Sequence, residues 1–412
     1  MKKIPFSPPK MDKAIIDEVV ATLNSGWITT GPRTKALEKE VEKLAQVSRV
    51  LCVNSCTGGL ELVMRWLGIQ AGDEVIVPAF TYCATANVVL HCGATPVMVD
   101  IKSDDFTMNM EAVKNAITPK TKAIVPVDLG GMPVDYAELL NLVKSDEIKK
   151  QFQPRTDLQK QLNRIAVITD AAHSIGANYL GQPAAKQADV TVFSFHAVKN
   201  LTTAEGGAIC LNLPDTFYAD EIYTKLNTKT VHGQTKDALA KFGKNSWEYD
   251  VVEAGYKFNM PDVLAAIGLV EIKRYQADTL TKRKIIFDLY TQLLSKYDWA
   301  ELPVYETEEK ISSYHLYLLR IKNVSLEQRN AIIQRIFDAG VSVNVHYKPL
   351  PELTLYKSMG YKSEDYPVSL DTFHRVITLP VFYDLEKEQL EQVVEVIAEA
   401  VEHQLLTNYF KT

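Results

Sequence analysis

Up to residue 211, short apolar runs rich in β-branched residues alternate with stretches whose apolar positions recur every three to four residues. EVIVP (74–78), PVMVD (96–100), KAIVPV (122–127), RIAVITD (164–170), DVTVFSF (189–195) and GAICL (207–211) read as strands. GLELVMRWLG (59–68), EAVKNAI (111–117) and DYAELLNLV (135–143) read as helices between them. Such alternation predicts an α/β fold, a mostly parallel sheet with helices on both faces. The polar stretch from Lys144 to Asn163, interrupted by Pro154, reads as a surface excursion before the strand that starts near Ile165. From Pro261 the texture changes. A long helical stretch ending in FDLYTQLL is followed by strand-like YHLYLLRI (314–321) and a helix, SLEQRNAIIQRIFDAG, closing on Gly340. VSVNVHY (341–347) and a final helix from Glu386 to Gln404 complete the pattern. It divides the chain into a large α/β domain over 1–275 and a smaller C-terminal α+β domain over 276–412.

Composition narrows the classes. With 412 residues, 46% of them apolar, the chain is long enough for two or three domains and a large core. Its 45 basic and 51 acidic residues leave a net charge of −6 and no Lys/Arg block, which argues against nucleic acid or an anionic membrane as partner. No apolar run approaches the roughly 18 residues of a membrane helix. MKKIPFSPPKMDK carries prolines where a signal peptide would be apolar, so a soluble, cytoplasmic protein is expected. The five cysteines form no C-x-x-C pair, and their odd number fits no closed disulfide framework. With no H-E-x-x-H either, nothing predicts a metal site.

The chemistry concentrates in three windows. In SFHAVKNLTTAEGGAI (194–209), Lys199 follows a buried strand, where open α/β sheets place their ligands. Desolvation there would lower its pKa and make the amine nucleophilic toward an aldehyde. RIAVITDAAH ends an apolar strand on Asp170, with His173 one turn on. A carboxylate in that place needs a polar or charged partner. It is either a helix N-cap or the partner of a protonated ring nitrogen. In NSCTGGLELVMRWL (54–67), the hydroxyls of Ser55 and Thr57 and the backbone around Gly58 lead into an amphipathic helix, as an anion cradle or as ordinary capping. PAFTYCATA places Tyr82 after the next strand, where its ring could stack on an aromatic ligand or pack in a core or interface. Anion cradle, aromatic face, strand-end Asp and strand-end Lys form the set needed to hold pyridoxal 5′-phosphate.

Over nearly its whole length the sequence also resembles the DegT/DnrJ/StrS family of sugar aminotransferases. The likeness rests on SGWITTGP (25–32), GDEVIVPAFTYCATANVV (72–89), DAAHSIGA (170–177), SFHAVKNLTTAEGGA (194–208) and GYKFNMPDVLAAIGLVEI (255–272). It implies a pyridoxal-phosphate-dependent transferase of fold type I, with a mostly parallel seven-stranded sheet. Lys199 would be the Schiff-base lysine, Asp170 the ring-nitrogen partner, Tyr82 the stacking residue and His173 a histidine beside the cofactor. Thr57, Gly58 and Ser194 match phosphate-binding positions. Asn259 matches an asparagine reaching the phosphate of the other subunit, implying a homodimer with shared active sites. Trp27 and Thr30 fall in a segment lining the sugar-nucleotide site, and His232 and His315 could approach it, although packing or surface roles fit both as well.

The implied reaction moves an amino group from L-glutamate, leaving 2-oxoglutarate, to the keto carbon of a nucleotide-linked keto sugar. C4 is favoured over C3, and the product would serve surface polysaccharide or lipopolysaccharide synthesis. SGWITTGP and the lysine window are nearest to the branch forming 4-amino-4-deoxy-L-arabinose, whereas VHYKPLPELTLY (345–356) looks more like relatives acting on 4-keto-6-deoxy sugars. Asp128 stands where histidine is common, and the 144–163 excursion is longer than the arabinose branch carries. A non-catalytic protein on the same fold would be expected to lose part of the cofactor set, which is complete here.

Overall fold

A computed structural model describes residues 3–235 and 248–409. Its central sheet has seven strands: β1 (Arg49–Val53), β2 (Glu74–Pro78), β3 (Thr95–Val99), β4 (Thr121–Ile124), β5 (Ala166–Asp170), β6 (Val190–Ser194) and β7 (Gly207–Leu211). Their spatial order is β1-β7-β6-β5-β4-β2-β3. From β3 to β6 the pairings are parallel, while β7 runs antiparallel to both its neighbours. Hydrophobic periodicity does not predict β1. Its short VLCV run becomes a strand only by pairing along its whole length with β7.

Helices α1 (Lys13–Asn24), α2 (Pro32–Ala45), α3 (Cys56–Trp66) and α4 (Ala84–His91) lie in the N-terminal part of the chain, and α5 (Asp262–Arg274) follows much later. Every residue of β5, β6 and β7 is buried, which is why those strands read as continuous apolar runs instead of alternating ones. Successive side chains serve opposite faces. Val192 and Ile209 pack with Leu60 and Val63 of α3. Phe193, Ala208 and Cys210 pack with Leu37 and Val41 of α2 and Ala265 of α5.

Gly207 brings the start of α3 against the sheet. A Cβ there would lie 2.7 Å from both the Cys56 nitrogen and the Phe193 carbonyl oxygen, and backbone cannot yield as a side chain does. Gly207→Ala is expected to destabilise the fold by about 1–3 kcal/mol, read as a lower urea midpoint at unchanged slope.

The 144–163 excursion is helical. It carries two short helices, Asp146–Gln151 and Asp157–Leu162, capped by the hydroxyls of Ser145 and Thr156. Thr156 also donates to the Leu67 carbonyl at 3.2 Å, tying the second helix to the end of α3. Downstream, the long helical stretch is interrupted. A π-helical segment, Tyr275–Leu280, separates α5 from α6 (Thr281–Leu294). Tyr275 anchors that irregular turn by donating to the Ile175 carbonyl at 2.7 Å.

Beyond it, β8 (Ala300–Glu301), β9 (Tyr317–Ile321) and β10 (Val376–Leu379) form an antiparallel sheet. It shares an apolar core with α6, α7 (Leu326–Asp338) and α8 (Lys387–Tyr409). VSVNVHY is not a strand. It makes only isolated bridges, Val341 to Ile4 and Asn344 to Thr378, while VITL of β10 takes the place beside β9. Lys310–Ile311 pairs with Asn178–Tyr179, so chain from beyond residue 276 also pairs with the segment that follows β5.

Candidate active site

The carboxyl ends of β1, β2, β5 and β6 open onto one cavity of about 460 Å³. β1 delivers Ser55 and Thr57 at the start of α3, β2 delivers Tyr82, β5 ends on Asp170, and β6 leads to Ser194 and Lys199. These sequence-predicted residues, together with His173, line the same space.

Asp170 is 5% exposed, and its partners are all neutral. Oδ2 accepts from Thr85 Oγ1 at 2.8 Å, and Oδ1 accepts from the Ala172 backbone N–H at 3.2 Å and from Cys56 Sγ at 3.7 Å. The segment after it is a series of turns, so Asp170 is not a helix N-cap. Among the described residues it makes no ion pair, and burial pushes its carboxyl above the ordinary value. That arrangement suits a cation arriving with a ligand. Lys199 follows a turn in which its N–H donates to the His196 carbonyl at 2.9 Å. Burial lowers its ammonium pKa, opposed by the charge of Asp170, and so favours the free amine.

At the other end, Ser55 Oγ accepts from the Gly58 N–H at 3.0 Å. Gly58 is buried beneath the cradle, where a Cβ would lie 2.8 Å from Asn54 Oδ1. The rest of the first turn of α3 faces the cavity through Thr57, at a helix end whose dipole favours an anion. Tyr82 is 59% exposed, an unusual state for an aromatic ring, and its face is available for stacking.

His173 is buried and held from both sides. Its Nδ1 accepts from the Gly130 N–H at 3.2 Å, and Nε2 lies 3.1 Å from the Tyr347 hydroxyl. Burial drives its pKa well below the ordinary value, so the ring stays neutral. The turn carrying Gly130 is fastened by Asp128, which accepts from Ser174 Oγ at 2.7 Å, from the Tyr136 hydroxyl at 2.9 Å and from the Val134 N–H at 3.0 Å. Burial pushes Asp128 up to about 6.

Five predicted residues lie elsewhere. His315 is buried behind His173, with ring centroids 4.5 Å apart and Nδ1 bonded to Asn200 Oδ1 at 2.7 Å. It lines a small cleft behind Lys199 and not the main cavity. His232 is exposed, and its N–H donates to the Tyr256 carbonyl at 2.8 Å, outside the cavity wall. Trp27 Nε1 donates to the Thr30 carbonyl at 3.1 Å. Asn259 Nδ2 donates to Thr30 Oγ1 at 2.6 Å. Trp27, Thr30 and Asn259 therefore form one cluster that does not line this chain's own cavity.

Thr85, Cys56, Tyr347 and His346 are functional neighbours that sequence reasoning missed. Thr85 and Cys56 lie inside quoted motifs, three residues after Tyr82 and between Ser55 and Thr57, but carry no spacing signal of their own. Tyr347 and His346 arrive from a segment far along the chain. No cluster of three or more His, Cys, Asp or Glu suited to a metal occurs among the described residues.

The residues present fit pyridoxal phosphate: a buried carboxylate lacking a cation, a desolvated amine, an exposed aromatic face and an anion-favouring helix start share one cavity. Fold and cavity together define the class as a pyridoxal-phosphate-dependent enzyme of fold type I. A model of the DegT/DnrJ/EryC1/StrS aminotransferase family matches residues 9–150 and 154–398, and the chain belongs to that family. The short interruption falls inside the 144–163 excursion.

Among solved structures, Spr1654 of Streptococcus pneumoniae, described as a sugar aminotransferase, is similar in its pyridoxamine-phosphate form at 46% identity and a TM-score of 0.94, covering 97% of this chain and 100% of that one. PseC of Helicobacter pylori, an aminotransferase in pseudoaminic acid biosynthesis, is 26% identical with a TM-score of 0.85, covering 98% of this chain and 100% of that one. The spore coat polysaccharide biosynthesis protein SpsC of Bacillus subtilis is 32% identical over 404 residues, 97% of each chain. No described helix is long and apolar enough to cross a membrane.

Proposed function

We propose that this protein transfers an amino group from L-glutamate to the C4 keto carbon of a nucleotide-linked keto sugar, giving an amino sugar for a surface polysaccharide or lipopolysaccharide. The observation that carries this reading is the desolvated Lys199 amine facing the same cavity as the buried Asp170 carboxylate. The sugar specificity is supported by what Spr1654, PseC and SpsC are described as doing. The C4 choice is supported by the likeness of SGWITTGP and the lysine window to the 4-amino-arabinose branch. A cytoplasmic setting follows, since charged nucleotide sugars do not cross membranes unaided.

Pyridoxal phosphate, when bound, supplies an aldehyde carbon for amines and a ring that withdraws electrons from the neighbouring carbon. Lys199 would hold the group at that carbon, and its Nζ, once freed by the amino donor, would carry the proton from the donor α-carbon to the former aldehyde carbon. Asp170 holds the ring nitrogen protonated, and Thr85, Cys56 and the Ala172 N–H fix the carboxylate for that task. Ser55, Thr57, Gly58 and Ser194 would bind the phosphate, Tyr82 would cover one ring face, and His173 would stand beside the ring.

A second copy of the chain completes the site. Asn259, Trp27 and Thr30 lie outside their own cavity, and α1 exposes Ile16, Val20 and Leu23 at helical spacing, an apolar stripe suited to a dimer interface. The division near residue 275 sets a small domain that brings His346 and Tyr347 to the cavity.

Incubation with pyridoxal phosphate, L-glutamate and a panel of nucleotide 4-keto sugars is expected to convert one member to its amine, seen by mass spectrometry with release of 2-oxoglutarate. Borohydride treatment of the loaded protein is expected to leave a pyridoxyl label on Lys199. A label on a different side chain overturns the assignment.

A further inference from the structure

One buried cation near the start of α6 has no counter-ion. Arg283 is 5% exposed, and its guanidinium reaches only backbone carbonyls. Nε donates to Tyr314 at 2.8 Å, one terminal nitrogen to His315 at 2.7 Å and the other to Val381 at 3.4 Å. Those three bonds leave part of its set of N–H donors unused. Burial lowers its pKa to about 10, and no carboxylate among the described residues pairs with it. A guanidinium so placed needs compensating negative charge. The carboxylates of this region are spent elsewhere. Asp12 and Glu271 both bond Arg274, and Lys10 shares Asp12 at 3.6 Å.

Arg283 lines a cleft of about 30 Å³ that also touches Lys199, room for one small ion and not for an organic ligand. Thr279, 5% exposed, lines the same cleft four residues earlier, and its hydroxyl has no partner among the described residues. It lies in the π-helical segment, an irregularity that gathers at functional sites. Another wall is a strap from the start of the chain. The Ile4 N–H donates to the Gly340 carbonyl and the Ser342 N–H to the Ile4 carbonyl, both at 2.9 Å. Ser7 Oγ donates to the Val198 carbonyl at 3.4 Å, and Lys10 Nζ lies 3.6 Å over the Tyr383 ring. Ser7 and Lys10 both border the cleft. We propose that this cleft binds a chloride-sized monovalent anion, held by the Arg283 guanidinium and the Thr279 hydroxyl and completed by Ser7 and Lys10. Glu271 on the same wall is already paired with Arg274, so it does not supply the missing charge. An anion seated there ties the strap to α6 behind Lys199. None of its four holders lines the main cavity, so the site stands independently of the cofactor reading.

The test follows the melting temperature of the full-length protein in excess pyridoxal phosphate, so that anions do not act at the Ser55–Thr57 cradle. Chloride replaces gluconate at constant ionic strength. Chloride and bromide are expected to raise the melting temperature saturably, by about 1–3 °C. Sulfate, too large for the cleft, is expected to give no saturable response. Arg283→Met removes a buried uncompensated charge, so it should fold and lose the response. Lys10→Met should need about threefold more chloride for the same rise. In crystals soaked in bromide, anomalous density should lie beside Arg283 and Thr279. The proposal is overturned if chloride has no effect, if sulfate saturates like chloride, or if either variant responds as the parent does. Bromide that settles elsewhere and not in the cleft also overturns it. Should Arg283→Met not fold, Lys10→Met and the bromide position decide. A protein that takes up no coloured cofactor counts against the cofactor reading alone, and the bromide position still decides this one.

Discussion

Lys199→Ala is expected to lower the transamination rate by on the order of 10⁴-fold or more while leaving the fold intact. General acid–base catalysis by a positioned group is worth about 10²–10⁴-fold, and the same amine also supplies the covalent attachment. The two roles act at one nitrogen, so no neighbour can take over either. His196 is exposed and engaged with Glu205, and His173 is buried, neutral and bonded at both ring nitrogens. The variant should still bind pyridoxal phosphate through Asp170 and the start of α3, visible as fluorescence quenching, yet take no pyridoxyl label on reduction. Melting temperature is the control. Removing a strand-end amine that is desolvated and not part of an ion pair should leave stability nearly unchanged.

Asp170→Asn is the second large effect, expected to cost about 10²–10⁴-fold in rate, as loss of a positioned proton-holding group does. An amide cannot keep a ring nitrogen protonated, although it fits the same space between Thr85 and Cys56. Stability should move in the opposite direction. Burial raises the folded-state pKa of Asp170 above its unfolded value, so the folded chain holds the extra proton and stability falls as pH rises through that range. At neutral pH the ionised carboxylate therefore costs stability in the cofactor-free protein. Asp170→Asn should melt at the same temperature or higher without cofactor, and should gain less than wild type when pyridoxal phosphate is added. A variant that melts lower without cofactor would show that Asp170 is a structural anchor instead. The comparison needs calorimetry with and without ligand, at a pH above the ordinary carboxylate range.

Much of the central sheet was legible because buried parallel strands must be apolar along their whole length. EVIVP matches β2 residue for residue, and GAICL matches β7. RIAVITD and DVTVFSF overshoot β5 and β6 only at their ends. β1 and β10 escaped because each is a short run that pairing, not composition, makes into a strand. VSVNVHY misled for the converse reason. Its alternation suits a strand, but the edge of β9 is already taken by VITL, and the segment is bent toward the cavity instead. The 144–163 excursion has a helical composition that its proline obscured, and side-chain caps at Ser145 and Thr156 restart the helix on either side of it.

From the chain alone came the α/β alternation, the strand-end positions of Lys199 and Asp170, and the small polar residues opening α3. Local period and residue chemistry determine these, and neither depends on what lies across the molecule. The tertiary structure decided the rest. It separated His315 from the cavity, set Asn259, Trp27 and Thr30 outside it, put Thr85 against Asp170, and brought His346 and Tyr347 in. Those placements depend on contacts between segments up to hundreds of residues apart, and a side chain's burial and hydrogen-bond partners exist only once such segments have met.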